Sequence, residues 1–269
     1  MISTQKAGAS VLSRRRLVVA ISAAGVLPWV GAEVAIASQV VNVAGRQRML
    51  LARMTKAYCE VGRNIDGVKS QKILNESVAQ FDVGLSQLRV SAPSAEIKET
   101  YARLSAKWNN YKAVVIGSAI AKERVKPVFD GAEDLLVLAN LGTLQLEQAA
   151  GKASSKLTNV CGRQRMLTQQ TAAYVFARNW AFTAAEAQPQ IAKRQQEYVQ
   201  SLGFLQDAKE NTSEIKRQLG YIGNMWVFFD VALAGTQNER PKSLEDMATA
   251  SELILKEYEN LTGLYARLA

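Results

Sequence analysis

The residues of this sequence that could do chemistry are two arginines in a repeated segment. Residues 42–50 read Asn-Val-Ala-Gly-Arg-Gln-Arg-Met-Leu, and residues 159–167 repeat eight of these nine residues 117 positions later. If each copy is helical, Arg48 and Arg165 each stand about one turn beyond a glycine. Glycine inside a helix costs about 1 kcal/mol relative to alanine, so it indicates close approach by another helix or by a ligand. A flat notch beside a guanidinium suits a small planar anion such as nitrate, which accepts two parallel N–H bonds.

The candidate ligand-binding residues lie on one helix face and the stripe beside it. In a single copy, the simplest interpretation would be a packing surface with a solvated arginine. Two copies of the whole segment within otherwise divergent sequence favour a function, because a solvated face has no need to keep Arg-Gln-Arg twice. The predicted ligand-binding residues are Arg48, Arg165, Gly45, Gly162, Arg46 and Arg163.

The composition excludes most catalytic chemistry. The chain has no histidine and only two cysteines, so Ser–His and Cys–His nucleophile systems, His-ligated zinc and thiolate clusters are impossible. No acid–base pair or nucleophile can be named in their place. We therefore predict that the protein is not an enzyme and uses no cofactor or metal. Lys and Arg neither cluster nor alternate with aromatic residues, so no nucleic-acid partner is expected either.

The elements that position the two arginines are predicted to be helices. Apolar residues make up 48% of the chain and aromatics only 7%, which favours an all-α protein over a sandwich or barrel. Apolar spacing near 3.6 residues and the positions of breakers divide each repeat into about four helices. Residues 38–150 and 151–269 are thus predicted to form two antiparallel four-helix bundles in tandem. The predicted helices are 38–62, 70–90, 95–120, 130–150, 153–182, 189–207, 212–233 and 243–268.

The boundary between the repeats is predicted near Gly151, and the connection there has two possible forms. A short turn would place the second motif helix beside the first, as in a side-by-side pseudo-dimer. One continuous helix would instead stack the bundles end to end and separate the two arginines. Aromatic pairs at matching positions of the two repeats are predicted core anchors, since i, i+3 spacing puts them on one apolar face. These pairs are Trp108 with Tyr111 and Trp226 with Phe229.

The first 37 residues are typical of a secretory signal peptide. Three adjacent arginines, Arg14 to Arg16, precede an apolar stretch from Leu17 to Leu27, and an Ala-Ile-Ala site ends at Ala37. This order of basic, apolar and small residues predicts cleavage before Ser38 and export to the periplasm. The paired arginines resemble a twin-arginine signal. Removal of residues 1–37 leaves 29 basic and 23 acidic residues, so the net charge falls from +9 to +6.

The repeated segment resembles a known family of sensors. Asn-x-Ala-Gly-Arg-Gln-Arg-Met-Leu at the start of a helical bundle is similar to the N-terminal domain of PilJ-type chemotaxis transducers, and its Gly-x-x-Arg-Met skeleton resembles that of NarX-like nitrate sensors. The resemblance implies a periplasmic four-helix bundle in which nitrate or nitrite binds between two motif helices. It implies that Arg48 and Arg165 hold the anion and that Gly45 and Gly162 line the notch.

The sequence departs from the PilJ-type pattern just after the motif. That pattern commonly continues Leu-Ser-Gln-Arg-Met. The first copy loses the serine and the glutamine but keeps the arginine, as Arg53, whereas the second keeps the glutamine, as Gln169, but loses the arginine. We expect that no transmembrane helix or output domain follows Ala269 and that the chain does not pass a signal across a membrane by itself.

Two functions remain open from the sequence. In the first, the chain is an anion-binding or sensory protein whose two motif helices pair around one nitrate or nitrite. In the second, the chain is a ligand-free helical module that docks on a membrane-bound chemotaxis transducer, a sensor kinase or an envelope complex. A homodimer is compatible with either function.

Overall fold

The computed structural model describes residues 29–268, with side chains from residue 37 onward. It is all-α, and no β-strand occurs among these residues, which confirms the predicted fold class. Eight α-helices follow one another, with a short 3₁₀ turn before the fourth and the eighth. Their bounds are α1 Trp29–Gly62, α2 Gly67–Ser91, α3 Ala95–Ile116, α4 Val125–Ala150, α5 Ala153–Ala177, α6 Ala184–Gln206, α7 Ser213–Gly235 and α8 Pro241–Ala266.

The two motif helices, α1 and α5, form the centre of the molecule and run side by side in parallel. Ser38 bonds to Ser155 near one end of the pair, with 3.0 Å between the hydroxyl oxygens. At the other end a Cβ on Gly62 would collide with the ring of Trp180. Because contacts at both ends join residues about 117 positions apart, the two copies of the motif lie in register. Helices α2 and α4 pack on α1, while α6 and α8 pack on α5.

The connection between the repeats is a turn and not a continuous helix. Gly151 ends α4 in the left-handed region, with φ 60°, and Lys152 is extended. A position with positive φ favours glycine, because glycine has no Cβ that would clash with the backbone. This reversal brings α5 alongside α1, so the end-to-end arrangement is not the one that the chain adopts.

The eight helices occur in the predicted order, and the starts of two of them differ from the predicted ones near prolines. Helix α4 begins at Val125, so Pro127 lies in its first turn, where a missing N–H costs little. Gly131 also lies inside α4, where the ring of Tyr111 occupies the place that a Cβ would take. Pro189 lies in the second turn of α6 and not at its start, since Thr183 and Glu186 form a capping box that starts the helix earlier.

The predicted aromatic anchors occupy the core, although not equally. Trp108, Tyr111 and Phe229 are buried. Trp226 is only partly buried and stacks on Tyr198, with ring centroids 3.7 Å apart. These rings fill the space between the outer helices and the central pair, and so fix the central pair in place.

The predicted signal peptide falls mainly outside the described residues, which begin at Trp29. The predicted cleavage position, between Ala37 and Ser38, lies within α1. Among residues 29–268, no helix combines the length and the apolar character needed to cross a membrane.

Candidate functional site

The motif helices make their closest approach at the two glycines of the repeat. A Cβ built on Gly45 would lie 3.8 Å from the Cα of Gly162, and a Cβ on Gly162 would lie 3.7 Å from the Cα of Gly45. A side chain larger than that of alanine on either helix would force the backbones apart at this point. The glycines therefore allow the two helices to cross so closely that side chains of one helix can contact the other.

The two motif arginines converge on this crossing. The terminal Nη2 atoms of Arg165 and Arg48 lie 3.4 Å and 3.5 Å from the position of a Cβ on Gly45. Both guanidinium groups thus reach the same point between the helices, which is the arrangement expected of a side-by-side pair. We call this place, formed by Gly45, Gly162, Arg48 and Arg165, the glycine crossing.

Each arginine is held by the asparagine that begins the opposite copy of the motif. Arg48 Nη2 donates to Asn159 Oδ1 at 2.6 Å and to the Asn159 carbonyl at 3.2 Å. Arg165 Nη2 donates to Asn42 Oδ1 at 3.0 Å. These asparagines were not among the predicted ligand-binding residues. Their signal was available, because Asn, Gly and Arg recur at i, i+3 and i+6 in both copies.

Both arginines are almost completely removed from water. Arg48 is 1% exposed and Arg165 is 0% exposed. Burial lowers the pKa of Arg48 to about 9, and repulsion from Arg163 and Arg165 adds to the shift. Burial also lowers the pKa of Arg165, although Glu259 opposes the change. The Nε atoms of both side chains lack a hydrogen-bond partner within the described structure. Such buried, incompletely paired cations favour a nearby negative charge.

The negative charge at the crossing is distributed unequally. Glu259 of α8 lies 3.0 Å from Arg165 Nη1, whereas no carboxylate among residues 37–268 forms an ion pair with Arg48. The other contact of Arg48 is neutral, from Nη1 to Asn140 Oδ1 at 2.9 Å. Burial alone would raise the pKa of Glu259, but Arg165 and Arg46 outweigh it and hold that pKa below its usual value. Arg48 is thus the arginine with no directly paired carboxylate, and the carboxylate nearest to it in this network, Glu147, acts through Asn159.

Comparison with known protein families identifies the first repeat. Residues 29–127 match the family model described as PilJ, the type IV pili methyl-accepting chemotaxis transducer N-term. The chain carries a PilJ domain. The matched residues span α1 to α3 and the first turn of α4, and they contain the first copy of the motif. No curated protein and no solved structure gives a significant match to this chain.

The outer arginines of the PilJ-domain motif and of its second copy do not reach the glycine crossing. Arg46 has a side chain that is 45% exposed and pairs with Glu259. Arg163 has a side chain that is 38% exposed and pairs with Glu197 of α6. Each outer arginine holds the carboxylate of a neighbouring helix at the edge of the crossing, at a distance from the notch itself.

The glutamines of the repeated Arg-Gln-Arg also turn away from the crossing. Gln164 donates to the carbonyl of Tyr198 at 2.9 Å, and so ties α5 to α6. Gln47 of the PilJ domain packs on Gly84 of α2, where its Nε2 would lie 2.0 Å from a Cβ. Packing between helices is therefore enough to explain why the glutamine occurs in both copies of the motif.

The residues that follow each copy of the motif make contacts between helices. Arg53 pairs with Glu252 of α8, which also accepts a bond of 2.5 Å from the buried Lys56. Gln169 donates to the carbonyl of Ser251 at 2.8 Å. The retained arginine of the first copy and the retained glutamine of the second thus join the motif helices to α8, one turn or more beyond the glycine crossing.

The two cysteines are free thiols in the core. Cys59 and Cys161 are both completely buried. Burial raises the pKa of Cys161 to about 12, and it raises the pKa of Cys59 further. Cys161 accepts a hydrogen bond from the Thr262 hydroxyl, and its position in the repeat is that of a small packing residue.

Proposed function

We propose that this protein is a periplasmic, non-catalytic sensory protein that binds a small anion, nitrate or nitrite, at the glycine crossing. The observation that carries the proposal is the convergence of two buried arginines on one point, where only Arg165 has a directly paired carboxylate, Glu259. The PilJ match supports a sensory role, because the family description names the N-terminal part of a chemotaxis transducer.

The amide oxygens of Asn42 and Asn159 mark where an anion's oxygens would bind. Each oxygen accepts a bond from the Nη2 of the arginine on the other helix. A charged acceptor in place of a neutral amide makes a hydrogen bond about twice as strong, and a planar anion can bridge two guanidinium forks. Binding would therefore exchange two cross-helix amide contacts for one shared anion. That exchange changes how α1 and α5 are held together, which is a plausible physical basis for a signal.

The location and the partner follow from the same proposal. The predicted signal peptide places the chain in the periplasm, where nitrate and nitrite are accessible from outside the cell. The output would then pass to a membrane-bound chemotaxis transducer or sensor kinase that reads the relative position of the central helices, with a homodimer as a further form of the receptor.

Isothermal titration of the purified full chain with nitrate and nitrite tests the proposal. We expect binding of one anion per chain, and we expect its loss in the double variant Arg48→Ala plus Arg165→Ala. Arg48→Lys keeps the charge but loses the fork, so it is expected to weaken binding about tenfold or more without removing a buried cation. Arg103→Ala, on the exposed side of α3, is the matched control. No heat at about 10 mM of either anion would overturn the proposal.

A second candidate function, docking without a small ligand, is favoured by one specific surface. Tyr221, Phe228, Val231 and Leu253 are each about half exposed or more and line an apolar groove of about 610 Å³ between α7 and α8. Capture of a transducer or kinase by the wild-type chain, lost in Phe228→Glu, with no thermal shift from any anion, would favour this function.

A further inference from the structure

A cleft beside the glycine crossing has an unbalanced positive charge. Its volume is about 260 Å³, and its walls come from α4, α5 and α6. Arg48 of α1 lies at its buried end. We call it the basic cleft and define it by the polar residues Arg48, Asn140, Arg163, Gln170, Lys193 and Arg194, together with two glutamates.

The glutamates of the basic cleft are already paired. Glu197 pairs with Arg163, and Glu133 lies 3.2 Å from Arg194 Nη2. Four basic residues and two acidic residues line the cleft, so two positive charges remain. They belong to Arg48 and Lys193, neither of which has a carboxylate within 4 Å in the part of the chain that the structure describes.

The wall of the cleft is rigid where it contacts Arg194. This side chain is 8% exposed, and its guanidinium lies over the ring of Tyr174, 4.5 Å from the centroid. Its Nε donates to Gln170 Oε1 at 3.1 Å, and its Nη1 donates to Gln190 Oε1 at 2.8 Å. A preformed wall of this kind does not have to be ordered when a ligand binds.

The corresponding face of the other repeat lacks this cleft. At the repeat offset of 117, Lys193 and Arg194 correspond to Glu76 and Ser77. The arginine equivalent to Arg48 is Arg165, which shares the carboxylate of Glu259 with Arg46. The adjacent basic residues Lys193 and Arg194 are therefore present on one side only, and the pseudo-symmetry of the two motif helices does not explain them.

We propose that the basic cleft binds a small doubly charged anion, a dicarboxylate or an inorganic dianion, with Arg48 at its buried end and Lys193 at its rim. Two cations without a carboxylate partner, one buried and one exposed, in a cleft of this volume match two negative charges on one small molecule. Asn140 and Gln170 supply amide groups to the same lining. The site is separate from the glycine crossing, although both use Arg48, so occupation of one is expected to affect the other.

Titration of the full chain with succinate and with sulfate at constant ionic strength tests this site. Lys193 is exposed, so Lys193→Glu should leave the fold intact and weaken dianion binding by about tenfold or more. The matched control is Lys216→Glu, an equal charge change on the exposed side of α7, which should alter binding by less than about twofold. Preference for succinate or for sulfate would show which kind of dianion the cleft takes.

The two sites are distinguished by variants that affect only one of them. Arg165→Ala should abolish nitrate binding at the crossing and leave succinate or sulfate binding intact, because Arg165 does not line the cleft. Lys193→Glu should do the reverse. The proposal is overturned if neither dianion binds at about 10 mM, or if Lys193→Glu and Lys216→Glu behave alike.

Discussion

Replacing Gly45 by alanine separates the packing role of the glycine crossing from its proposed binding role. A methyl group at this position would meet Arg165 Nη2 at 3.4 Å, Arg48 Nη2 at 3.5 Å and the Gly162 Cα at 3.8 Å. These are ordinary van der Waals distances, so the substitution introduces no clash. Alanine is favoured over glycine in a helix interior by about 0.8–1 kcal/mol. We therefore expect Gly45→Ala to stabilise the protein by about 0.5–1 kcal/mol and to raise Tm by about 1–3 °C.

The same methyl group should remove anion binding. It would occupy the point that both guanidinium groups reach, where an anion oxygen must approach to about 2.8 Å from each Nη2 atom. Because that space is then filled, we expect nitrate affinity to fall by at least about tenfold. A variant that is more stable and yet does not bind cannot be explained by misfolding.

Thermal unfolding and isothermal titration, run on the same preparations, check both halves of this prediction. Gly220→Ala is the matched control, because a Cβ there has no neighbour within 4 Å and should bring the helix gain with no change in nitrate affinity. Gly162→Ala should be less stabilising, since its Cβ would lie 3.1 Å from Arg165 Nη2. Loss of more than about 1 kcal/mol in Gly45→Ala would refute the packing argument, and unchanged nitrate affinity would refute the proposed site.

Three further predictions concern buried ionisable groups. Burial opposes ionisation of Glu252, but its ion pairs, led by that with Lys56, lower its pKa to about 2. The ionised Glu252 side chain should contribute about 3 kcal/mol to the free energy of unfolding above about pH 4.5, and this contribution should be lost as the pH falls towards about 2. Denaturant titrations of wild type and Glu252→Gln across that range should show the difference in stability disappear. Burial raises the pKa of Glu60, so Glu60→Gln should raise Tm at pH 7, with a gain that shrinks on acidification; a lower Tm at pH 7 would contradict this. Cys59 and Cys161 should not react with a thiol reagent until the protein unfolds, and rapid labelling of the native protein would count against their burial.

The sequence was sufficient to predict the helices, and it offered the side-by-side pairing of α1 and α5 as one of two possible arrangements. Local signals determine these features, because apolar spacing defines the helices and Gly151 permits the reversal between α4 and α5. The repeated asparagine, glycine and arginine carry the same spacing in both copies, so their contacts across the crossing follow once the helices lie in register.

The unequal pairing of the two arginines with carboxylates could not be read from the sequence. Glu259 pairs with Arg165 and Arg46 from α8, and Asn140 reaches Arg48 from α4. Such contacts depend on how far each outer helix is rotated about its own axis. Apolar periodicity shows which broad face of a helix is buried, but it does not fix that rotation closely enough to pair individual side chains. The motif alone therefore implied two equivalent arginines, whereas the folded chain gives only one of them a carboxylate.

The central claim concerns one place in the molecule, where Arg48 and Arg165 meet between α1 and α5. A crystal structure of the full chain with about 1 mM nitrate, a concentration chosen to favour specific sites, tests it most directly. We predict a planar anion that accepts bonds from both guanidinium groups, with the amide oxygens of Asn42 and Asn159 moved away. Arginines still bonded to these two asparagines, with no anion between them, would contradict the account.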